Sequence, residues 1–183
     1  MKKIIQLLVI TALITTAIPC QASKEYKSFK AIFAKPSSNR KLIVGKVKQI
    51  IDGDTINVIS KGKFITVRLA AIDAPENKQI FGRESRNTLR ALIKNRIVNL
   101  SIVNDNNRRI VAHIFYKGRH INAEMVRNGF AWVYSSFKRN GKLFAYQRTA
   151  KKYRKGLWGL PKKHIIKPSQ WKILYQKKRL KTY

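Results

Sequence analysis

The chain has 183 residues, and its 40 Lys and Arg residues outnumber its eight Asp and Glu residues, which gives a formal charge of +32 at pH 7. This length suffices for one domain with a buried core. The charge favours a polyanionic partner, whether nucleic acid, anionic lipid or acidic polysaccharide, and does not choose among them. The single cysteine, Cys20, excludes a disulfide framework within the chain.

The first 22 residues have the pattern of a secretory signal peptide. Met1-Lys2-Lys3 is positively charged, residues 4–18 are mostly apolar, and Ala22 precedes Ser23 at a suitable cleavage site. A transmembrane helix is the alternative, although the apolar run is short for a bilayer span of about 20 residues. A lipid anchor on Cys20 is less favoured, because Ile-Pro directly precedes that residue. We therefore expect an exported protein whose cysteine is removed with the signal peptide.

The rest of the chain divides into three segments. Residues 23–41 are polar and basic and are expected to form a flexible arm. Residues 42–160 carry the patterns of a folded domain. Residues 161–183 form a basic C-terminal tail, in which residues 175–183 are expected to be solvated and to add nonspecific affinity for nucleic acid.

Alternation of apolar and polar residues predicts strands, and apolar residues at steps of three and four predict helices. The predicted strands are 42–50, 55–59, 63–72, 97–103 and 109–116, with 130–137 extended. The predicted helices are 82–96, 122–128 and 140–155. We expect Asn122 to cap the second helix, and the third helix to present one apolar face made of Leu143, Tyr146, Ala150 and Tyr153. This layout favours a five-stranded OB-fold barrel with three helices, a fold that commonly binds oligonucleotides.

The few acidic residues are gathered in one region of the chain. Five of the eight lie between positions 52 and 84, namely Asp52, Asp54, Asp73, Glu76 and Glu84. The sequence Asp52-Gly53-Asp54 follows the first strand, and an Asp-Gly pair on its own predicts a hairpin turn. Clustered carboxylate oxygens also suit a hard cation such as Ca²⁺, so both readings stay open at this point.

Arg68 and two acidic residues lie on the third strand or directly after it. Pro75 ends the strand, so Asp73 and Glu76 are held on a stiff loop. Strict alternation places Arg68 and Asp73 on opposite faces of the sheet. The two residues can share a site only if the strand bends near Ala70-Ala71.

A second arginine, Arg109, begins the fifth predicted strand. Taken singly, Arg68 and Arg109 have the character of surface charges. Together with the carboxylates they form the set that phosphoryl transfer needs, since a cation and arginines neutralise the charge that grows on the phosphate oxygens. Arginine suits this role better than lysine because its planar fork matches two phosphate oxygens at once.

Six segments match, in order and spacing, the motifs of the staphylococcal-nuclease-type thermonucleases. They are Ile-Asp-Gly-Asp-Thr at 51–55, Val-Arg-Leu at 67–69, Ile-Asp-Ala-Pro-Glu at 72–76, Arg-Ile-Val-Ala at 109–112, Asn-Ala-Glu-Met-Val-Arg-Asn-Gly-Phe-Ala at 122–131 and Gly-Leu-Trp at 156–158. The chain thus resembles this family over about residues 42–160. The resemblance implies an OB-fold barrel with three helices and a Ca²⁺-dependent phosphodiesterase that cuts DNA and RNA and leaves 3′-phosphate ends.

The resemblance also implies a calcium site. Asp54 and Asp73 match the side-chain ligands, the backbone carbonyl of Ala74 matches a third ligand, and Asp52 matches a residue of the outer coordination shell. The family usually has threonine at the position of Ala74. A carbonyl ligand survives that change and only a hydroxyl is lost, so we expect weaker support of the site and not an inactive one.

The catalytic residues follow from the same resemblance. Glu76 matches the glutamate proposed to activate the attacking water, and Arg68 and Arg109 match the two arginines that hold the scissile phosphate. The family commonly has Tyr-Gly before the second arginine, where this chain has Asn107-Arg108.

The loss of that tyrosine is expected to weaken nucleotide packing and the loss of the glycine to reshape the turn. Tyr134 and Phe137 are the candidates to stack on the bases instead.

The sequence therefore predicts an exported, monomeric, Ca²⁺-dependent nuclease for DNA and RNA, without stable membrane association once the signal peptide is removed. The alternative is an OB-fold module that binds nucleic acid without cutting it, and the retained acids and arginines argue against that reading. A cationic protein that acts on membranes is supported only by the charge, because the chain lacks a strongly apolar helical face opposite a basic one.

Overall fold

The computed structural model describes residues 41–106, 109–134 and 141–180, with the side chains of residues 176–180 left out. The predicted signal peptide, the predicted arm up to residue 40, Asn107-Arg108 and Phe137 lie outside the described residues.

The described residues form eight strands and four α-helices. The strands are β1 (Leu42–Ile50), β2 (Thr55–Ser60), β3 (Lys63–Leu69), β4 (Ile72–Asp73), β5 (Ile97–Asp105), β6 (Ile110–Tyr116), β7 (Arg119–His120) and β8 (Trp132–Val133). The α-helices are α1 (Gly82–Ile93), α2 (Ile121–Arg127), α3 (Gly141–Lys152) and α4 (Pro168–Leu180), and 3-10 turns lie at Gly156–Gly159 and Lys162–His164. None of the helices in the described part of the chain is both long and apolar enough to cross a bilayer.

Five of the strands close into a barrel. Strands β1, β2 and β3 form an antiparallel meander, and the β5–β6 hairpin joins it through antiparallel pairing of β5 with β1. Parallel pairing of β3 with β6, which sets Val67 beside Ile110 and Arg68 beside Val111, closes the sheet. The predicted OB-fold barrel with helices on it is confirmed. The sequence did not predict α4, which lies in the basic C-terminal segment.

The core fills the barrel and extends beneath α1 and α2. Its largest fully buried side chains are Ile50, Ile56, Leu69, Ile72, Leu89, Ile93, Leu100, Ile114, Ile121, Met125 and Leu143. A second, smaller cluster forms around Trp132 and Trp158, and Leu160 and Ile165 pack against it. Burial of the apolar surface of Leu160 and Ile165 against this cluster stabilises the position of the chain directly after the barrel domain.

The third predicted strand is not continuous. The chain leaves β3 after Leu69, turns through Ala70 and Ala71, and enters β4, which pairs with β8 instead of continuing the barrel sheet. Ala71 has a φ of 62°, in the left-handed region, which an extended strand cannot contain. The bend that a shared site requires is therefore present at Ala70–Ala71.

Asn122 has a different role from the predicted one. Helix α2 begins at Ile121, and Asn122 is fully buried inside its first turn. Its Oδ1 accepts a hydrogen bond from the Ile114 amide (2.9 Å), and its Nδ2 donates to the carbonyls of Ala70 (2.9 Å) and Ala112 (3.3 Å). Buried backbone groups need partners, so Asn122 satisfies the backbone beside the β3–β6 seam instead of capping the helix.

The apolar face predicted for α3 is shorter than expected. Leu143 and Ala150 are buried and Tyr146 packs against the main core, as predicted. Tyr153 is 63% exposed, because the helix ends at Lys152 and the chain turns away before that position.

Two buried histidines face each other beside α2. His113 Nδ1 lies 3.0 Å from His120 Nε2, and the His120 ring stacks on Phe115 at a centroid distance of 4.9 Å. Burial lowers the pKa of His120 well below its ordinary value, and His113 and Lys142 act in the same direction. His120 is therefore held neutral in the folded protein.

We predict that acid destabilises the fold partly through His120. The unfolded chain takes up a proton at this residue as the pH falls below about 6.5, whereas the folded chain does not until the lower folded pKa is reached. The contribution of neutral His120 to the free energy of unfolding is thus fully present above pH ~6.5. Below that pH it declines by at most about 1.4 kcal/mol per pH unit. Urea unfolding of the native protein and of His120→Leu at pH 7, 6 and 5 measures this. The variant should lose stability less steeply between pH 6 and 5, and parallel curves would contradict the assignment.

Candidate functional site

The Arg68 guanidinium joins two aspartates that are far apart in the sequence. Its Nη1 donates to Asp54 Oδ1 at 2.6 Å, and its Nη2 donates to Asp73 Oδ1 at 2.8 Å. Asp54 comes from the β1–β2 connection, and Asp73 ends β4 directly after the turn at Ala71. The structure thus brings together Arg68, Asp54 and Asp73, three of the residues predicted from the sequence.

Asp54 is the most enclosed of these groups, with 2% of its surface exposed. Its Oδ2 accepts a hydrogen bond from the Ala74 amide at 2.8 Å, and its Oδ1 accepts one from the Thr55 hydroxyl at 3.0 Å. Its own amide donates to Asp52 Oδ1 at 2.9 Å, which places Asp52 directly behind it. The Asp-Gly-Asp segment therefore connects β1 to β2 as a turn and also supplies a buried carboxylate to the site.

Gly53 allows this connection to pack against the next loop. A Cβ at this position would clash with the Ser85 side chain and lie 2.7 Å from the Cβ of Ala74. Ser85 cannot easily move, because its hydroxyl donates to the Phe130 carbonyl at 2.7 Å. The close approach at Gly53 is what lets Asp54 reach the amide of Ala74.

The acidic pair is electrostatically strained. Burial raises the pKa of Asp54 and of Asp73 above the usual aspartate range, and Arg68 opposes both shifts. Asp52 raises the pKa of Asp54 further. When both carboxyls are ionised, one guanidinium does not balance two carboxylates, so the cluster favours an additional positive charge.

Glu76 lies on the loop that follows Pro75. The Gln79 side chain accepts a hydrogen bond from its amide at 3.2 Å, and its carbonyl accepts one from the Gln79 amide at 2.8 Å. Its Oε1 is 2.8 Å from the ammonium of Lys172 in α4. The carboxylate of Glu76 is therefore held at the margin of the site and stays partly open to solvent.

An open cleft of about 500 Å³ runs beside the acidic pair, and its polar lining residues are Arg68, Asp73, Asn104, Arg109, Tyr134, Ser169 and Lys172. Arg109 directly precedes β6, where its amide donates to Asn106 Oδ1 at 3.0 Å. The parallel pairing of β3 with β6 brings Arg109 to the side of the barrel that carries Arg68. Tyr134, directly after β8, is 43% exposed. Both predicted arginines and the predicted stacking residue Tyr134 thus border one cleft, and Phe137 lies outside the described residues.

The donors at this site fit a hard divalent cation. The described residues contain no group of three or more His, Cys, Asp or Glu side chains that could hold a metal ion. The candidate ligands are instead the carboxylates of Asp54 and Asp73 with the backbone carbonyl of Ala74. All of these are oxygen donors, which Ca²⁺ prefers, and Ca²⁺ commonly completes its coordination with water. Such an ion would supply the positive charge that the buried carboxylates favour.

Sequence reasoning missed Ser169 and Lys172 at this cleft. Both lie in α4, and a signal for that helix was available, since proline is common at the first helical position and Pro168 occupies it. The segment was predicted to be a tail because basic residues with scattered aromatics dominate it, although Trp171, Leu174 and Tyr175 have helical spacing.

We predict that Arg68→Met lowers the free energy of unfolding by about 3–5 kcal/mol at pH 7, because it leaves buried carboxylates without their cation. The deficit should shrink at pH 5, since the carboxyl pKa values in the folded variant lie above those of the unfolded chain and protonation relieves the repulsion. Urea unfolding at both pH values measures this. Arg119→Met is the matched control, because it removes an exposed pair with Glu124 that contributes less than about 1 kcal/mol. Equal deficits for the two variants would contradict the role of Arg68.

Comparison with known proteins identifies the family of the chain. The family model described as staphylococcal nuclease homologue matches residues 66–159, which include Arg68, Asp73, Glu76 and Arg109. A Haemophilus influenzae protein named "Uncharacterized endonuclease" is 40% identical over 129 residues, which cover 69% of this chain and 71% of that protein. A Shigella flexneri protein named "Micrococcal nuclease" is 34% identical over 140 residues, which cover 70% of this chain and 79% of that protein. The chain therefore belongs to the staphylococcal nuclease homologue family.

Proposed function

We propose that the chain is an exported, Ca²⁺-dependent nuclease that hydrolyses phosphodiester bonds of DNA and RNA without sequence specificity. Membership of the family makes it a nuclease-type hydrolase. The proposal goes beyond family membership in four respects: the calcium dependence, the range of substrates, the 3′-phosphate products and the export.

One observation carries the proposal, namely that Arg68 holds the Asp54–Asp73 pair and also lines the cleft that Arg109 borders. A phosphodiester in this cleft would meet two guanidinium groups on one side and a carboxylate cluster suited to a cation on the other. This combination serves phosphoryl transfer, which depends mainly on positioning and on stabilisation of growing negative charge.

The arginines have distinct tasks in this mechanism. Arg68 has five N–H donors and uses two of them on Asp54 and Asp73, so it can orient both acids while it binds a phosphate oxygen. Arg109 is exposed and, within the described part of the chain, makes no ion pair with Asp54 or Asp73, so its fork is available for the scissile phosphate.

Glu76 is proposed to accept a proton from the water that attacks phosphorus in line, while the bond from phosphorus to the 5′ oxygen breaks and the departing oxygen takes a proton from solvent water. The products are then a 3′-phosphate and a 5′-hydroxyl. Ca²⁺ bound by Asp54, Asp73 and the Ala74 carbonyl would polarise a phosphoryl oxygen. Tyr134 at the cleft is proposed to stack on a neighbouring base, an interaction that tolerates any sequence because every base has a π-face.

Hydrolysis is expected to require Ca²⁺. The test follows the release of acid-soluble nucleotides from single- and double-stranded DNA and RNA, with Ca²⁺ and with chelator. Chelator should abolish release, and the DNA products should prime a polymerase only after their 3′ ends are treated with a phosphatase. Equal rates in Ca²⁺ and chelator would overturn the metal role.

Two arginine variants control this assay. Arg109→Ala should lower the rate by about 10²–10³-fold, the usual cost of removing one preorganised donor to a transition-state oxyanion. Arg119→Ala should retain the native rate, since Arg119 pairs with Tyr116 at the far end of β6, roughly 20 Å along the strand. Full activity of Arg109→Ala would show the assignment of that residue to be wrong.

A nucleic-acid-binding module without catalysis is the second candidate, since the cleft and the charge would serve binding alone. A mobility shift of intact DNA in Ca²⁺, with no cleavage after long incubation, would favour it over hydrolysis.

The export proposal makes a prediction about the N-terminus. If residues 1–22 are a signal peptide, the full-length chain expressed with its own N-terminus should be processed to a product that begins at Ser23. Mass spectrometry of the protein recovered from the periplasm and from the medium tests this. Recovery of unprocessed chain in the cytoplasm alone would contradict export.

A further inference from the structure

Helix α4 lies at the edge of the proposed substrate cleft, beyond the region that the family model matches. That match ends at residue 159, and α4 begins at Pro168. Two α4 residues, Ser169 and Lys172, nevertheless line the same cleft as Arg68 and Arg109. The substrate cleft therefore has one wall that the matched part of the chain does not provide.

Specific contacts hold this wall in place. The Gln79 side chain donates to the Ile166 carbonyl at 2.6 Å, just before α4 begins. Lys78 Nζ lies 3.5 Å from the Tyr175 hydroxyl, and Tyr175 stacks on Trp171 with a centroid distance of 4.7 Å. Both anchors, Lys78 and Gln79, belong to the loop that also carries Glu76. These contacts hold α4 in a defined position against the loop that carries Glu76, the proposed general base.

Among the described side chains of α4, Lys172 is the one best placed to meet a polyanion. Its ammonium lies 2.8 Å from Glu76 Oε1, and its side chain is still 54% exposed. The hydrogen bond to Glu76 raises the pKa of Lys172, so the side chain stays charged. An ammonium has three donors, and one carboxylate contact leaves it able to bind a phosphate oxygen as well.

We propose that Lys172 contacts the phosphodiester backbone beside the scissile phosphate, which makes α4 a binding wall of the substrate cleft. This inference rests on the proposed function, since it names a further contact of that same site. Two arginines already serve the scissile group and match its oxygens in a bidentate way. A lysine suits the neighbouring phosphate, because it binds as a point charge without a fixed geometry.

The ion pair with Glu76 does not prevent this contact. An exposed pair of this kind contributes less than about 1 kcal/mol, so a phosphate can share or replace the carboxylate at little cost. A contact away from the reacting bond acts equally on the ground state and on the transition state. It therefore lowers KM and leaves kcat nearly unchanged.

The kinetic test compares the full chain with Lys172→Ala, Lys172→Arg and Lys63→Ala on single-stranded DNA. Lys172→Ala should raise KM about fivefold to tenfold, as expected for loss of a typical solvent-exposed hydrogen bond, with kcat within about twofold of the native value. Lys172→Arg should restore a nearly native KM. Lys63→Ala is the matched control for loss of one charge and should change neither constant. Lys63 is exposed at the end of β3 that lies roughly 17 Å along the strand from Arg68.

A binding measurement separates this inference from the proposed function. Affinity for a phosphorothioate single strand is measured in chelator at several salt concentrations, so that no turnover is needed. Lys172→Ala should reduce the slope of log K against log salt by about 0.7, the value for one phosphate contact on a single strand, and Lys63→Ala should not.

Three outcomes would overturn the inference: an unchanged KM with an unchanged salt slope, a loss confined to kcat, or faster hydrolysis by Lys172→Ala. The second would mean that Lys172 acts only by holding Glu76, and the third that α4 obstructs the cleft. If the native protein does not hydrolyse DNA at all, the proposed function fails, and the salt slope still decides whether Lys172 contacts phosphate.

Discussion

The fork between Arg68 and the two aspartates is the interaction on which the rest of the site depends. Two carboxylates that are partly or wholly removed from water repel each other and lose hydration, and each is tolerable only because one planar cation reaches both. The same guanidinium faces the cleft. The residue that allows the acids to lie together is therefore also positioned to bind phosphate, so stability and proposed catalysis share one side chain.

The barrel provides this geometry through its closure. Parallel pairing of β3 with β6 brings Arg68 beside Val111, so the residue preceding β6 comes to the same side as the acids. Asn122 supports that seam by binding the backbone of Ala70 and Ala112, at the point where β3 gives way to the turn. Arg68 and Arg109 are far apart in the sequence, but the folded barrel brings their backbone positions together before substrate binds. Strand pairing and the buried amide of Asn122 fix the backbone positions from which both arginines reach the cleft, and the ion pairs with Asp54 and Asp73 also fix the Arg68 side chain.

The motifs were enough to predict the barrel and to name residues that the cleft brings together, because Asp-Gly-Asp and Asp-Ala-Pro-Glu each combine turn chemistry with oxygen donors. Predictions from periodicity were wrong at single residues whose backbone or contacts differ from the regular pattern of their strand or helix. A strict two-residue repeat would separate Arg68 from Asp73, and only the left-handed φ of Ala71 resets the face. Asn122 looked like a helix cap because local patterns cannot reveal which distant carbonyls lack a partner. Tyr153 followed the helical spacing, yet its helix had already ended.

Charge alone says little about which cations act in a chain with 40 lysines and arginines. Most of them can attract a polyanion from a distance, but a solvated lysine has many rotamers and must lose that freedom to make a defined contact. The acids select among the cations, because each ion pair fixes one basic group at the cleft. Asp54 and Asp73 fix Arg68, and Glu76 orients Lys172 more weakly. By this argument the scarcity and clustering of the acids have a second purpose besides the proposed metal binding, which is to hold particular cations ready where a phosphate backbone is proposed to enter.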